Sequence, residues 1–448
     1  MNNKFCSAFL FSIFLFAFSF AQPAITVEEV VQLAIQKNYD IKVAQTTAAT
    51  QFTDKRFIYG AFIPTLNLTG SYLKNNNGIV NQAFPINYNT GLPQDGSQKN
   101  FQGASLNTNS SLQATWTVFD GTKMFATKKR LNQLADWGEI NIKNQIVNTI
   151  AATMTNFYNI VRQQEQLKAI NEVMAVNLER LKLAERKLEV GTGAKPELLQ
   201  AKVDLNAQRT LAVQQEILIQ QIKDQMNGQL GFGLPGQFNI ADTIPINLNL
   251  NLEEIFSSIE NTNQTVLAAK KNLEIATTAV REARAGRYPV IQLLGAYNLN
   301  RTENKVQYNG AIQNLTQFST FNYGIGVSMP IINYMNISRL IAQARITQSR
   351  LQAVYDQQKT LAKVGVLNAF TNYENSKKIL QIQEENILVA KENVSIALAG
   401  FRRGITTFIE LRTAQQSLSD AYNQLIAARF SAKSSEIELM RLQGALLK

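Results

Sequence analysis

Few residues of this chain could carry out bond-making chemistry, and their distribution argues against an active site. There is no histidine among the 448 residues. This removes the commonest general base, the Ser-His-Asp and Cys-His mechanisms, and the commonest transition-metal ligand. The single cysteine is Cys6, so disulfides within the chain, zinc clusters and thiol nucleophiles are excluded from the body of the sequence. Acidic pairs such as Glu28-Glu29 sit where helices start and read as first-turn charges. No catalytic constellation, cofactor motif or metal-ligand set is present, and an enzyme is not expected.

Charge is the next candidate for function. Lys and Arg number 44 against 33 Asp and Glu, a formal charge of +11. The basic residues are dispersed and interleaved with acids. The densest runs, Lys128-Lys129-Arg130 and Arg402-Arg403, are short. A solvated, mildly basic surface accounts for this better than a nucleic-acid stripe, and no nucleic-acid partner is expected.

The elements that hold these residues follow from pattern. Residues 1–21 read as a signal peptide: Lys4, an apolar run from Phe9 to Phe18, then Ser19-Phe20-Ala21 as a small-x-small cleavage site. Cys6 precedes the apolar run, so it is not in a lipobox. No later stretch of about 18 apolar residues occurs, so no transmembrane helix is expected.

The rest repeats itself. A shift of 225 residues pairs Thr26-Val27-Glu28-Glu29-Val30 with Asn251-Leu252-Glu253-Glu254-Ile255, Asn38 with Asn263, and Pro64 with Pro289. A shift of 213 pairs Gly191 with Gly404, Glu197-Leu198 with Glu410-Leu411, and Ala201 with Ala414. The change of offset falls in the Asn- and Gly-rich segment from Lys74 to Gly103, which reads as a loop. Two repeats, 22–236 and 237–448, are expected to share one plan.

That plan has four parts. A helix of about 35 residues comes first, Val27–Phe62 and Leu252–Arg287, closed by Pro64 and Pro289. Two strands of about ten residues follow, with period-two alternation. Leu66, Leu68, Gly70 and Tyr72 are answered by Ile291, Leu293, Gly295 and Tyr297. After the loop, Leu112, Ala114, Trp116 and Val118 are answered by Ile325, Val327, Met329 and Ile331. Gly121–Val190 then lacks proline, and about seventy helical residues would reach about 105 Å at 1.5 Å each. Leu167, Met174, Leu181 and Leu188 recur every seventh residue, as do Leu380, Ile387, Val394 and Phe401. After a turn the period resumes at Leu198 and at Leu411, which predicts antiparallel coiled-coil hairpins. Their tips are Val190-Gly191-Thr192-Gly193 and Arg403-Gly404-Ile405-Thr406. The expected fold class is α+β: long helices plus four amphipathic strands.

The duplicated plan, the leader and the tips together resemble the TolC family of outer-membrane efflux proteins. The resemblance covers essentially the whole mature chain. It implies a homotrimer in which twelve strands form one barrel in outer-membrane lipid and twelve helices form a periplasmic α-barrel. It also implies tips that dock onto a periplasmic adaptor, the membrane fusion protein linking the duct to an inner-membrane transporter. Family members place acids six and nine positions after the second tip glycine, where this chain has Glu410 and Thr413, so half of that acidic aperture is present. Glu197 resembles a residue used in restraint between helices. An arginine two positions after the second tip glycine is replaced by Thr406, with Arg402 and Arg403 as nearby substitutes. The other reading of Glu197 and Glu410 is charge placement at a helix N-terminus, and it is favoured for Glu197. The alternative function is a periplasmic coiled-coil scaffold or adaptor without a pore, in which the four matched strands would have no purpose.

Overall fold

The computed structural model describes residues 25–81, 100–235, 238–240, 244–247, 249–306, 312–333 and 335–447. The leader expected at 1–21 lies outside them. In chain order the elements are α1 (Val27–Lys37), α2 (Tyr39–Phe57), a 3₁₀ turn (Ile58–Phe62), β1 (Thr65–Asn81), β2 (Asn100–Phe119), α3 (Lys123–Glu189), α4 (Lys195–Gln229), α5 (Leu252–Thr262), α6 (Gln264–Ala285), β3 (Val290–Val306), β4 (Ile312–Ser328), α7 (Asn336–Arg403) and α8 (Phe408–Gln443), with a closing 3₁₀ turn (Ala445–Leu447). Among the described residues no helix is long and apolar enough to cross a membrane.

The chain divides into two compact units. One holds the described residues up to Val43, Asn144–Thr262 and those from Ala362; the other holds Ala44–Lys143 and Asn263–Leu361. Each unit takes segments from both halves of the sequence.

The opening helices differ from expectation. Each 35-residue helix is two helices, broken at Asn38 and at Asn263. Both asparagines leave helical geometry, with ψ of 129° and 116°. Their Oδ1 atoms accept from the amides of Asp40 and Ile41, and of Thr265 and Val266. The side chain of an N-cap satisfies donors that a continuous helix would bond to its own backbone, so each asparagine starts a new helix. The start of α1 agrees with the sequence: Thr26 Oγ1 accepts from Glu29 N at 3.3 Å, and Glu29 Oε2 accepts from Thr26 N at 3.1 Å.

The strands are also longer than ten residues, running to 17 in β1, β3 and β4 and 20 in β2. Part of the presumed loop is therefore strand: Lys74–Asn81 extends β1 and residues 100–103 belong to β2, while 82–99 fall outside the description. All four strands form one antiparallel sheet in the order β1-β2-β3-β4. Met329 lies just beyond β4, because Pro330 has no N–H to continue the ladder. Val118 is displaced from the run of Leu112, Ala114 and Trp116 by a bulge between Thr117 and Phe119.

The core of the tip-bearing unit is coiled-coil packing. Leu380, Ile387, Val394 and Phe401 are buried with Leu411, Leu418 and Leu425. In the first repeat the burial shifts by one position. Met174 and Leu181 are half-buried, while Val173 and Arg180, one position earlier, are fully buried.

Candidate functional sites: the hairpin tips and the sheet

The two tips share one backbone. Gly191 and Gly404 both have φ +78°, a region that glycine enters without Cβ strain. At the first tip, Gly191 N donates to Leu188 O, and Thr192 N and Gly193 N both donate to Lys187 O, at 3.1, 2.9 and 2.8 Å. At the second, Gly404 N donates to Phe401 O, and Ile405 N and Thr406 N both donate to Gly400 O, at 3.3, 2.9 and 3.3 Å. Each bond maps onto its counterpart by the shift of 213. Val190 and Ile405 stand 72% and 77% exposed.

The side chains differ. Position 187 is lysine and faces Gly193, where an added Cβ would lie 2.8–2.9 Å from Leu188 N and Lys187 C. The equivalent position 400 is glycine and faces Thr406, whose Oγ1 would sit 2.1 Å from an added Cβ. In each tip, one of the two facing positions lacks a Cβ. Lys187 Nζ lies 3.8 Å from the centroid of the Phe401 ring, a cation–π contact between the two hairpins.

Helix starts after the tips differ too. Before α8, Thr407 Oγ1 accepts from Glu410 N at 3.2 Å, and Glu410 Oε2 accepts from Thr407 N at 2.8 Å, a reciprocal capping box. These bonds to the Thr407 amide and hydroxyl hold the Glu410 carboxyl below its ordinary range. The side chain is fully exposed. Glu197 occupies the same position in α4, but Ala194 replaces the threonine and no side-chain cap forms. Pro196 in the first turn removes one donor that would otherwise need a partner. Thr413 is exposed and its hydroxyl donates to Ile409 O at 3.0 Å. Arg402 lies 3.6 Å from Glu179 of α3, and Arg403 is exposed.

One cluster near the tips escaped sequence reasoning. Arg180 is 1% exposed, paired with Asp204 of α4, and donates from Nη1 to Gln415 Oε1 of α8 at 2.7 Å. Arg412 Nε approaches the same Asp204 at 3.3 Å. These groups line a cavity of about 170 Å³. Burial lowers the Arg180 pKa and Asp204 opposes that shift. Arg180 directly precedes the heptad residue Leu181, which concealed its inward position.

The sheet has two unlike faces. Cross-strand register aligns Leu68, Leu112, Tyr297 and Phe321 in one row, and Trp116, Leu293 and Ile325 in another. Leu66, Tyr72 and Val327 are exposed, and Ile291 registers opposite Val327. The opposite face carries the row Thr69, Ser111, Asn298, Thr320, tied by Ser111 Oγ donating to Asn298 Oδ1 at 2.6 Å and Asn298 Nδ2 donating to Thr320 Oγ1 at 3.4 Å. Trp116 Nε1 donates to Phe62 O at 3.0 Å, which fastens β2 to the turn preceding β1.

Comparison with known proteins agrees with this architecture. A family described as "Outer membrane efflux protein" matches residues 30–231 and 255–445. The outer membrane protein TolC of Vibrio cholerae is 22% identical over 401 residues, covering 86% of this chain and 83% of that protein. The probable efflux pump outer membrane protein TtgC of Pseudomonas putida is 21% identical over 430 residues, covering 95% and 84%. Among solved structures, the transmembrane channel CusC superposes with a TM-score of 0.75 at 16% identity, covering 94% and 93% of the two chains. The outer-membrane channel OprN gives 0.75 at 17% identity, covering 93% and 89%. With the duplicated tips, the single amphipathic sheet and a family match across most of its length, this chain belongs to the outer membrane efflux protein family and is an outer-membrane channel protein of the TolC type.

Proposed function

We propose that the protein is the exit duct of a tripartite export system. In this reading it is a homotrimer whose strands share one barrel in the outer membrane and whose helices carry the duct into the periplasm. A periplasmic adaptor joins it there to an inner-membrane pump. The observation that carries the proposal is the open four-stranded sheet with one apolar face. Among the described residues β1 and β4 are the edge strands of this sheet, each paired on one side only. Exposed N–H and C=O groups are not tolerated in lipid, so the edges must pair with other copies. Three copies bring twelve strands, enough to close a barrel. The apolar rows through Leu68 and Trp116 then face lipid, and the row through Asn298 faces water. A scaffold without a pore would leave that apolar face uncovered in water.

The exposed Val190 and Ile405 suit the tips to an adaptor. Glu410 is the candidate for an acidic aperture: three copies around one axis would attract cations. Glu197, Thr413, Arg402 and Arg403 are its proposed neighbours in controlling the opening. Mass measurement of detergent-extracted protein is expected to give a trimer, and a stable monomer would reject the shared barrel. In planar bilayers Glu410→Gln should weaken cation selectivity and divalent block while the trimer persists. Unchanged selectivity would leave Glu410 with its capping role alone.

A further inference from the structure

The cavity between α3, α4 and α8 is short of acceptors. Asp204 is the one acid among the residues lining it, and both of its oxygens are engaged. Oδ2 pairs with Arg180 Nη2, and with Arg412 Nε at 3.3 Å. Oδ1 accepts from Gln200 Nε2 at 2.8 Å and from Arg412 Nη2 at 3.5 Å. A carboxylate offers about four acceptor sites, so Asp204 has none to spare. Gln415 Oε1 is taken by Arg180 Nη1 at 2.7 Å.

Two donors are left over. Arg180 Nε and Gln415 Nε2 are buried, and no protein acceptor reaches either. Their residues are 1% and 4% exposed and both line the cavity. A buried donor without an acceptor is destabilising, the more so when it carries charge.

Charge shows the same surplus. Arg180 and Arg412 bring two positive charges to one carboxylate, which leaves the wall with one positive charge in excess. Burial and the neighbouring Arg412 both disfavour the charged form of Arg180, while Asp204 favours it. Asp420, further along α8, accepts from Gln416 Nε2 at 3.0 Å and does not line the cavity.

We infer that this cavity binds a small monovalent anion of the halide class, held by Arg180 Nε and Gln415 Nε2 with Arg412 as the second positive charge. A halide accepts several N–H groups at once and cancels the excess charge, which a water molecule cannot do. The cavity of about 170 Å³ has room for the ion and a few waters, since about 10–15 Å³ of free space suffices for one water. Val173 and Ala207 add apolar wall, and the reduced access of solvent there strengthens the attraction. The site takes groups from three helices, so filling it stabilises their packing.

Two measurements test this. Crystals of the detergent-solubilised protein soaked in sodium bromide should show an anomalous bromide peak in the cavity, within hydrogen-bond reach of Arg180 Nε and Gln415 Nε2. In solution, replacing the bulkier gluconate by chloride at constant ionic strength should raise the unfolding temperature by about 2–4 °C. Gln415→Glu keeps an oxygen for Arg180 Nη1 and supplies the missing negative charge from the protein itself, so it should abolish both the peak and the chloride shift. Arg412 is exposed, so Arg412→Gln should fold and should also lose the shift, while Arg412→Lys retains most of it. A cavity holding waters only overturns the site. So does a peak at crystal concentration only, with no chloride shift in solution, or an equal chloride shift in Gln415→Glu.

Discussion

The two hairpin tips have the same backbone and reach it with different side chains. Three amide-to-carbonyl bonds and one glycine at φ +78° recur in both. Around them, the first tip pairs Lys187 with Gly193, and the second pairs Gly400 with Thr406. The first starts its following helix with Ala194 and Pro196, and the second with the Thr407–Glu410 box. A loop conformation can thus be held by its hydrogen bonds while the residue lacking a Cβ moves from one strand of the loop to the other. The cap is an asymmetry that changes the chemistry of the tip, because it engages the carboxylate of Glu410 and leaves Glu197 without a threonine partner.

The largest effect is expected where the tips differ sterically. Gly400→Ala places a Cβ 2.1 Å from Thr406 Oγ1 and should cost about 1–3 kcal/mol as local overpacking. Amide hydrogen exchange at Ile405 and Thr406 reads this cost. Thr406→Gly should restore protection, because the obstacle is a side chain. Gly193→Ala meets backbone atoms of Lys187 and Leu188 as well as the Lys187 Cβ, so Lys187→Gly should rescue it only in part. Equal rescue at both tips would refute the distinction.

Where the tips agree, substitutions should agree. Gly191→Ala and Gly404→Ala have open space around the new Cβ, so the cost is the backbone term alone, about 1–2 kcal/mol in each. A difference above about 1 kcal/mol between them, read by the same exchange experiment, would show that the two backbones are not equivalent.

Capping comes next. Thr407→Ala should destabilise the start of α8 by about 1 kcal/mol, and Ala194→Thr should stabilise α4 by a similar or smaller amount, since Glu197 already stands at the third helical position. Exchange at the first-turn amides of each helix measures both. If Ala194→Thr has no effect, Pro196 has already fixed the start of α4.

The smallest effect is acidic. Glu410 is held below its ordinary value of 4.5. Its capping contribution is therefore complete above that value and is lost as pH falls through the lower folded value. Protection of the α8 start should persist to lower pH than an ordinary carboxylate allows, and Glu410→Gln should abolish the pH dependence. Loss of protection already at pH 5 in the unmodified protein would contradict the bonds to Thr407.

The sequence by itself determined much of what has a local cause. Heptad spacing marked α3, α4, α7 and α8 as long helices, and the proline-free run Gly121–Val190 meets the ends of α3 within two residues, because hydrogen bonds along a helix and a seam along its side both follow short-range period. Gly191 and Gly404 announced the turns, and period two announced the strands near Leu66 and Leu293. Asn38 and Asn263 carried a signal that was visible, as an N-cap residue repeated in both halves, yet helical periodicity on either side concealed the break between them. Only the tertiary structure decided what depends on distant segments meeting. The pairing of β2 with β3 joins segments about 180 residues apart, and no local propensity encodes it. The buried place of Arg180 depends on Asp204 and Gln415 arriving from two other helices. The exchange of glycine between positions 187/193 and 400/406 depends on how closely two turns of chain approach, which is a matter of packing distance and not of pattern.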